Sequence, residues 1–191
     1  MASRQKIVPL ILVIVFVAGS GKAYPGGIGG DANNQGDVSL AGCTCHAEDP
    51  DNSVTVILDG VPFHYSPQTV YEMKIQLIGG PEAQQDTYTG GFAMTASSGS
   101  LGSPEGSEGM VQNWEDDPLS LTHTDLGAKA PDRTWLITWN SPEENSGSVT
   151  FFIAGNSVNG DQAPSSLDRW NRLTTTIDEG EDNGIRRTIF S

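Results

Sequence analysis

The chain has 191 residues, room for one domain. Its 24 acidic and 10 basic residues leave a formal net charge of −14, which argues against nucleic acid or anionic lipid as a main partner. Two cysteines are too few for a disulfide-dense scaffold, and 23 glycines fit many tight turns and few long elements.

Residues 1–23 read as an export signal. Arg4 and Lys6 give the positive start, Ile7 to Ala18 an unbroken apolar run, and Gly21 and Ala23 the small residues before a cut after Ala23. The run is short of the ~20 residues a spanning helix needs. The protein is therefore expected to be secreted, with membrane association only if the signal stays uncleaved. A Gly-rich, aperiodic extension follows over 24–52 and contains both cysteines.

The body, 53–178, reads as strands. Val54, Val56 and Leu58 alternate with Thr55 and Ile57 in the first. Tyr71, Met73, Ile75 and Leu77 alternate with Glu72, Lys74 and Gln76 in the second. Further strands are predicted over Phe92–Ala96, Trp135–Trp139, Val149–Ile153 and Leu173–Ile177. Period-two alternation with one polar face marks half-buried antiparallel strands, and Gly/Pro turns separate them. The expected fold is all-β, an immunoglobulin-like antiparallel β-sandwich with a Gly-rich N-terminal extension. The stretch 97–130 reads as a long, irregular, polar insert of the kind that often carries function. The tail, 179–191, is acidic and then basic (Arg186, Arg187) and is expected to fray.

One constellation carries chemistry: Cys43-Thr44-Cys45-His46. C-x-x-C-H is the attachment signature of c-type haem, in which two thiols add across the porphyrin vinyl groups and the histidine meets the iron. Here a single residue separates the cysteines, which shortens the loop, so attachment would need a single thioether or an unusual attachment machinery. Two other readings stand beside haem. The cysteines can form a strained disulfide or stay as inert thiols, or they can bind copper or zinc together with the imidazole.

A haem iron held by His46 needs a ligand on its other side. Met73 and Met94 lie in strands and read as core. Met110 sits in a Gly/Ser/Glu-rich loop, and His64 in a turn that reads as solvated. His123, in the long insert, is the best candidate, because long loops on rigid sandwiches carry sites. No hydrolytic constellation stands out, so the chain is not expected to be an enzyme. Asp178 to Gly184 resembles a calcium loop in composition but misses the EF-hand spacing and its terminal Glu. Trp135 and Trp139 read as sandwich core rather than as a sugar platform.

The order of these motifs resembles the prokaryotic reeler-like domain, also described as the choice-of-anchor V type. The matching stretches are Gly26-Gly27-Ile28-Gly29-Gly30, Cys43 to His46, Gly60-Val61-Pro62, and Gly90-Gly91-Phe92 running on to Ala96. His123-Thr124, Trp135 to Trp139 with Pro142, and Val149-Thr150-Phe151 continue the series. Ala154-Gly155-Asn156 and Asn159-Gly160 complete it, so the resemblance covers roughly Tyr24 to Ile177. Members often carry C-x-x-C-H and a C-terminal anchor; this chain has C-x-C-H, and no anchor is visible in it. The resemblance implies an extracellular reeler-like β-sandwich with haem c at Cys43, Cys45 and His46. The histidine of the His-Thr pair, His123, then becomes the second metal ligand opposite His46. Two histidine ligands leave no open iron position, which favours electron transfer with an extracellular redox partner over oxygen chemistry. The alternative is a haem-free extracellular adhesion or binding module that holds a surface protein and keeps Cys43–Cys45 as a structural pair. A weaker one is a copper-binding protein. A homo-oligomer is compatible with each.

Overall fold

The computed structural model describes residues 24–29, 38–84, 86–165, 167–181 and 184–190; the export signal expected over 1–23 lies outside them. The strands are β1 (Val54–Pro62), β2 (His64–Tyr65), β3 (Val70–Gly79), β4 (Gly90–Ala96), β5 (Ser100–Gly102) and β6 (Val111–Asn113). They continue with β7 (Ser120–His123), β8 (Thr134–Asn140), β9 (Val149–Ser157), β10 (Arg169–Glu179) and β11 (Ile185–Phe190). One helical turn, α1 (Val38–Ala41), precedes them. A five-stranded sheet has the order β11-β1-β3-β8-β5, and a six-stranded sheet the order β2-β10-β9-β4-β7-β6. Neighbours are antiparallel except β2 and β10. The all-β sandwich expected from the alternation is the fold observed.

The alternation explains which faces meet. Tyr71, Met73, Ile75 and Leu77 of β3 and Trp135, Ile137 and Trp139 of β8 are buried. From the other sheet come Phe92 and Met94 of β4, Phe151 and Ile153 of β9, and Leu173 and Ile177 of β10. Trp139 lies at the centre of an aromatic cluster. It stacks on Tyr71 at 5.7 Å between ring centroids and meets Tyr65 and Phe151 edge-on at 5.4 and 5.0 Å. Trp135 and Trp139 are thus core, as their spacing predicts, and Met73 and Met94 are core as well.

The six-stranded sheet departs from one-sided burial. In β4 and β9 the residues facing away from the core, Gly91, Ala93, Ala154 and Asn156, are buried too. Strands buried on both faces are covered on both faces. The cover is the N-terminal extension, whose α1 packs on β4 and β9. Small side chains on this outer face let the extension approach closely.

Two expectations need correction. The insert 97–130 is not simply irregular: it supplies β5, β6 and β7, and all four residues of β7 are buried. A four-residue strand buried on both faces shows no alternation in sequence, which is why its period is invisible. The tail does not fray either. Residues 185–190 form β11 against β1, with Leu58 opposite Thr188 and the Arg187 guanidinium 2.8 Å from the Asp59 carboxylate. Among the described residues no helix is long and apolar enough to cross a membrane.

Trp139 is fully buried and touches three other rings, so truncation leaves a large cavity. Trp139→Ala is expected to lower the unfolding free energy by about 3–5 kcal/mol, read as a reduced urea midpoint at unchanged slope.

Candidate functional site

A cavity of about 430 Å³ lies between the outer face of the six-stranded sheet and the extension. Gly91, Ala93 and Asn156 belong to the sheet side. Cys43, Cys45 and His46 come from the extension, and Asp161 and Asp168 from the segment between β9 and β10. Tyr24, Pro25 and Ile28 line it from a strap, 24–29, that crosses β7. All four residues singled out from sequence, Cys43, Cys45, His46 and His123, line this cavity.

The Cys-x-Cys-His turn is fixed to the start of β10. The Gly42 N–H closes α1 on the Val38 carbonyl at 2.8 Å. Gly42 has φ +94°, and a Cβ there would lie 2.2 Å from the Trp170 indole, so only glycine fits under that ring. Thr44 N–H then bonds the Gly42 carbonyl and His46 N–H the Cys43 carbonyl, winding the segment tightly. The Trp170 Nε1–H donates to the Ala47 carbonyl at 2.8 Å. The His46 Nδ1 lies 2.8 Å from Asp168 Oδ2, a carboxylate only 1% exposed. Asp168 also accepts backbone N–H groups, from Asn159 on Oδ1 at 3.2 Å and from Ser165 on Oδ2 at 3.1 Å.

Both cysteines are free thiols in the structure, Cys43 half-buried and Cys45 exposed. Burial, with the nearby Cys45 adding to it, pushes the Cys43 thiol up to about 12, so Cys43 stays protonated at neutral pH.

His123 ends β7 and is 7% exposed, not the solvent-facing loop residue that its threonine neighbours would make it. The Phe92 N–H lies 3.0 Å from Nδ1. A Cβ on Gly91 would lie 2.2 Å from Cε1 of the ring, so the imidazole occupies the space that the missing side chain leaves. Burial lowers the His123 pKa, and hydrogen bonds to the backbone of Phe92 and Tyr24 oppose that shift. Beside it, Thr122 Oγ1 donates to the Phe92 carbonyl at 2.7 Å and accepts the Ile28 N–H at 3.1 Å. Those bonds, with Gln112 Nε2 on the Gly26 carbonyl at 2.5 Å, hold the strap down.

The other candidates fall elsewhere. His64 is exposed on β2, and Met110 packs against the core. The calcium-like run lies partly outside the described residues; within it Asp178 accepts from Ser148 Oγ, and Glu179 from the Asn145 and Gly147 N–H groups. Among the described residues no three His, Cys, Asp or Glu side chains are grouped so that they could hold a metal ion. Sequence reasoning missed Asp168, Trp170 and Asn156. Asp168 carries no local pattern, because its partner His46 is remote in the chain. Asn156 is 7% exposed, and its buried Oδ1 has no hydrogen-bond partner.

No family model and no curated protein matches the chain. Among solved structures it is similar to the Reelin-N domain of F-spondin, at 17% identity over 70% of this chain and 90% of that one, with a TM-score of 0.46. A human F-spondin reeler domain is similar at 16% identity over 71% and 98%, with a TM-score of 0.43. The assignment of the fold rests on the strand order described above.

Gly91→Val is expected to displace the His123 ring, moving its imidazole resonances in NMR and lowering stability by about 1–3 kcal/mol. The depressed His123 pKa gives a second expectation. The folded state binds the proton less readily than the unfolded state, whose histidine titrates near the ordinary 6.5. Stability is therefore full above that value and falls as the pH drops below it through the lowered folded-state value. Aspartates with lowered values, such as Asp51 and Asp59, act only below 3.8. Chemical unfolding at several pH values should show this loss in the wild type and a flatter profile in His123→Gln.

Proposed function

We propose that this chain is a secreted haem-binding β-sandwich working in extracellular electron transfer. In this reading Cys43 and Cys45 anchor the porphyrin, through one thioether or both, His46 is the proximal ligand and His123 the distal one. The observation that carries the reading is that a Cys-x-Cys-His turn and a remote histidine line one cavity. The cavity's volume of about 430 Å³ falls within the ~300–1,000 Å³ of ordinary ligand pockets, and its sheet side carries the small side chain of Ala93 beside the His123 ring. Bound haem would supply a one-electron redox centre whose potential is set by its ligands and their hydrogen bonds. The chain's own contribution is placement. Asp168 holds the His46 ring, Cys45 is reachable from solvent, and the strap screens His123 from water. To act as a ligand, His123 exchanges its hydrogen bond with the Tyr24 backbone for the metal.

That same hydrogen bonding favours a second reading, a haem-free extracellular binding module. His123 is already satisfied by Phe92 and Tyr24 and needs no metal to justify its burial. An optical spectrum of protein from its native source, followed by acid–acetone extraction and a pyridine-haemochrome assay, separates the two. A Soret band retained by the polypeptide, and lost from a Cys43→Ser/Cys45→Ser double variant, is expected. No Soret band in the wild type overturns the haem reading and leaves the binding module. A double variant that keeps its haem stoichiometrically overturns the covalent anchor.

A further inference from the structure

We propose that Asp168 is a positioning residue that locks His46 as the Nδ1–H tautomer, so that Nε2 carries a lone pair ready to bind a metal centre in the cavity. The argument is an inventory of donors and acceptors. Both Asp168 oxygens already accept a backbone N–H, from Asn159 and from Ser165, so the carboxylate acts as an acceptor on both sides. The contact with His46 at 2.8 Å is then satisfied only if Nδ1 carries the proton and donates it. A neutral imidazole protonated at Nδ1 is bare at Nε2. Among the described residues Nε2 has no hydrogen-bond partner, while His46 lines the cavity.

The lock is built, not incidental. Asp168 is 1% exposed, and a buried carboxylate without partners is costly; three donors converge on this one. The next two residues hold the rest of the turn. Arg169 pairs with Asp51 at 2.8 Å, and Trp170 bonds the Ala47 carbonyl. The imidazole is therefore fixed in orientation and tautomer before anything binds, the arrangement in which a carboxylate orients a metal-ligating histidine and raises its basicity. This inference rests on the haem reading only for the identity of the metal centre, because the tautomer is a property of the protein alone.

The test uses the full mature chain, free of haem and metal, labelled with ¹⁵N at histidine and recorded at pH 8. The His46 ring is expected to show a protonated Nδ1 and a bare Nε2. Asp168→Asn keeps the shape and the backbone contacts but offers both an acceptor and a donor, so the His46 signals should shift towards a mixture of tautomers. A wild-type ring protonated at Nε2, or at both nitrogens, overturns the proposal, as does an Asp168→Asn spectrum with the wild-type tautomer retained. If Asp168→Asn fails to fold, the wild-type spectrum still decides. Failure of the haem reading would appear separately, as a missing Soret band in protein whose His46 tautomer is unaffected.

Discussion

The cavity depends on the contact between the Trp170 indole and the Cys-x-Cys-His turn. Trp170 fills the space above Gly42 and bonds the Ala47 carbonyl, while its backbone carbonyl accepts the Asp51 N–H. One large side chain at the start of β10 thus grips the extension at three points. Without that grip the extension would be a Gly-rich lead with little apolar surface of its own, and the outer face of β4 and β9 would lie open to water. With it, a two-layer sandwich gains a partial third layer, and the interval between layers is where the polar residues collect.

Several of those polar residues are satisfied by backbone. Asp168 draws on Asn159 and Ser165, His123 on Phe92, and Thr122 on Phe92 and Ile28. Such networks stiffen the walls they belong to, because moving one member strands its partners without water to replace them. Asn156 Oδ1 on the cavity wall and Ser120 Oγ beneath Gly29 of the strap are buried without a partner among the described residues.

Much of the sandwich was legible from residue order alone. Tyr71 to Leu77 and Trp135 to Trp139 announce their buried faces by strict alternation, and both strands lie where they are expected. Two other strands were harder. β7 is four residues long and β11 mixes Ile185 and Ile189 with Arg186 and Arg187, so neither has a period that stands out. Of the site, the Cys-x-Cys-His turn could be found because its chemistry sits in adjacent residues. His123 could be nominated but not placed, since burial comes from strands paired far along the chain. Asp168 could not be found at all: its role exists only across a hydrogen bond to residue 46.

The cavity draws on distant parts of the polypeptide: residues 24–28 and 38–46 from the first part, Gly91, Ala93 and His123 from the middle, and 156–168 from the last. A chain that emerges N-terminus first presents the Cys-x-Cys-His turn long before the segment that clamps it. Until β9 and β10 arrive, Cys43 has neither the burial that raises its pKa nor the wall that shields it, and its sulfur is as available as any free thiol. Any chemistry on that sulfur by a bulky reagent therefore belongs to the interval before the fold is complete. After closure the same atom is sheltered by the segment between β9 and β10.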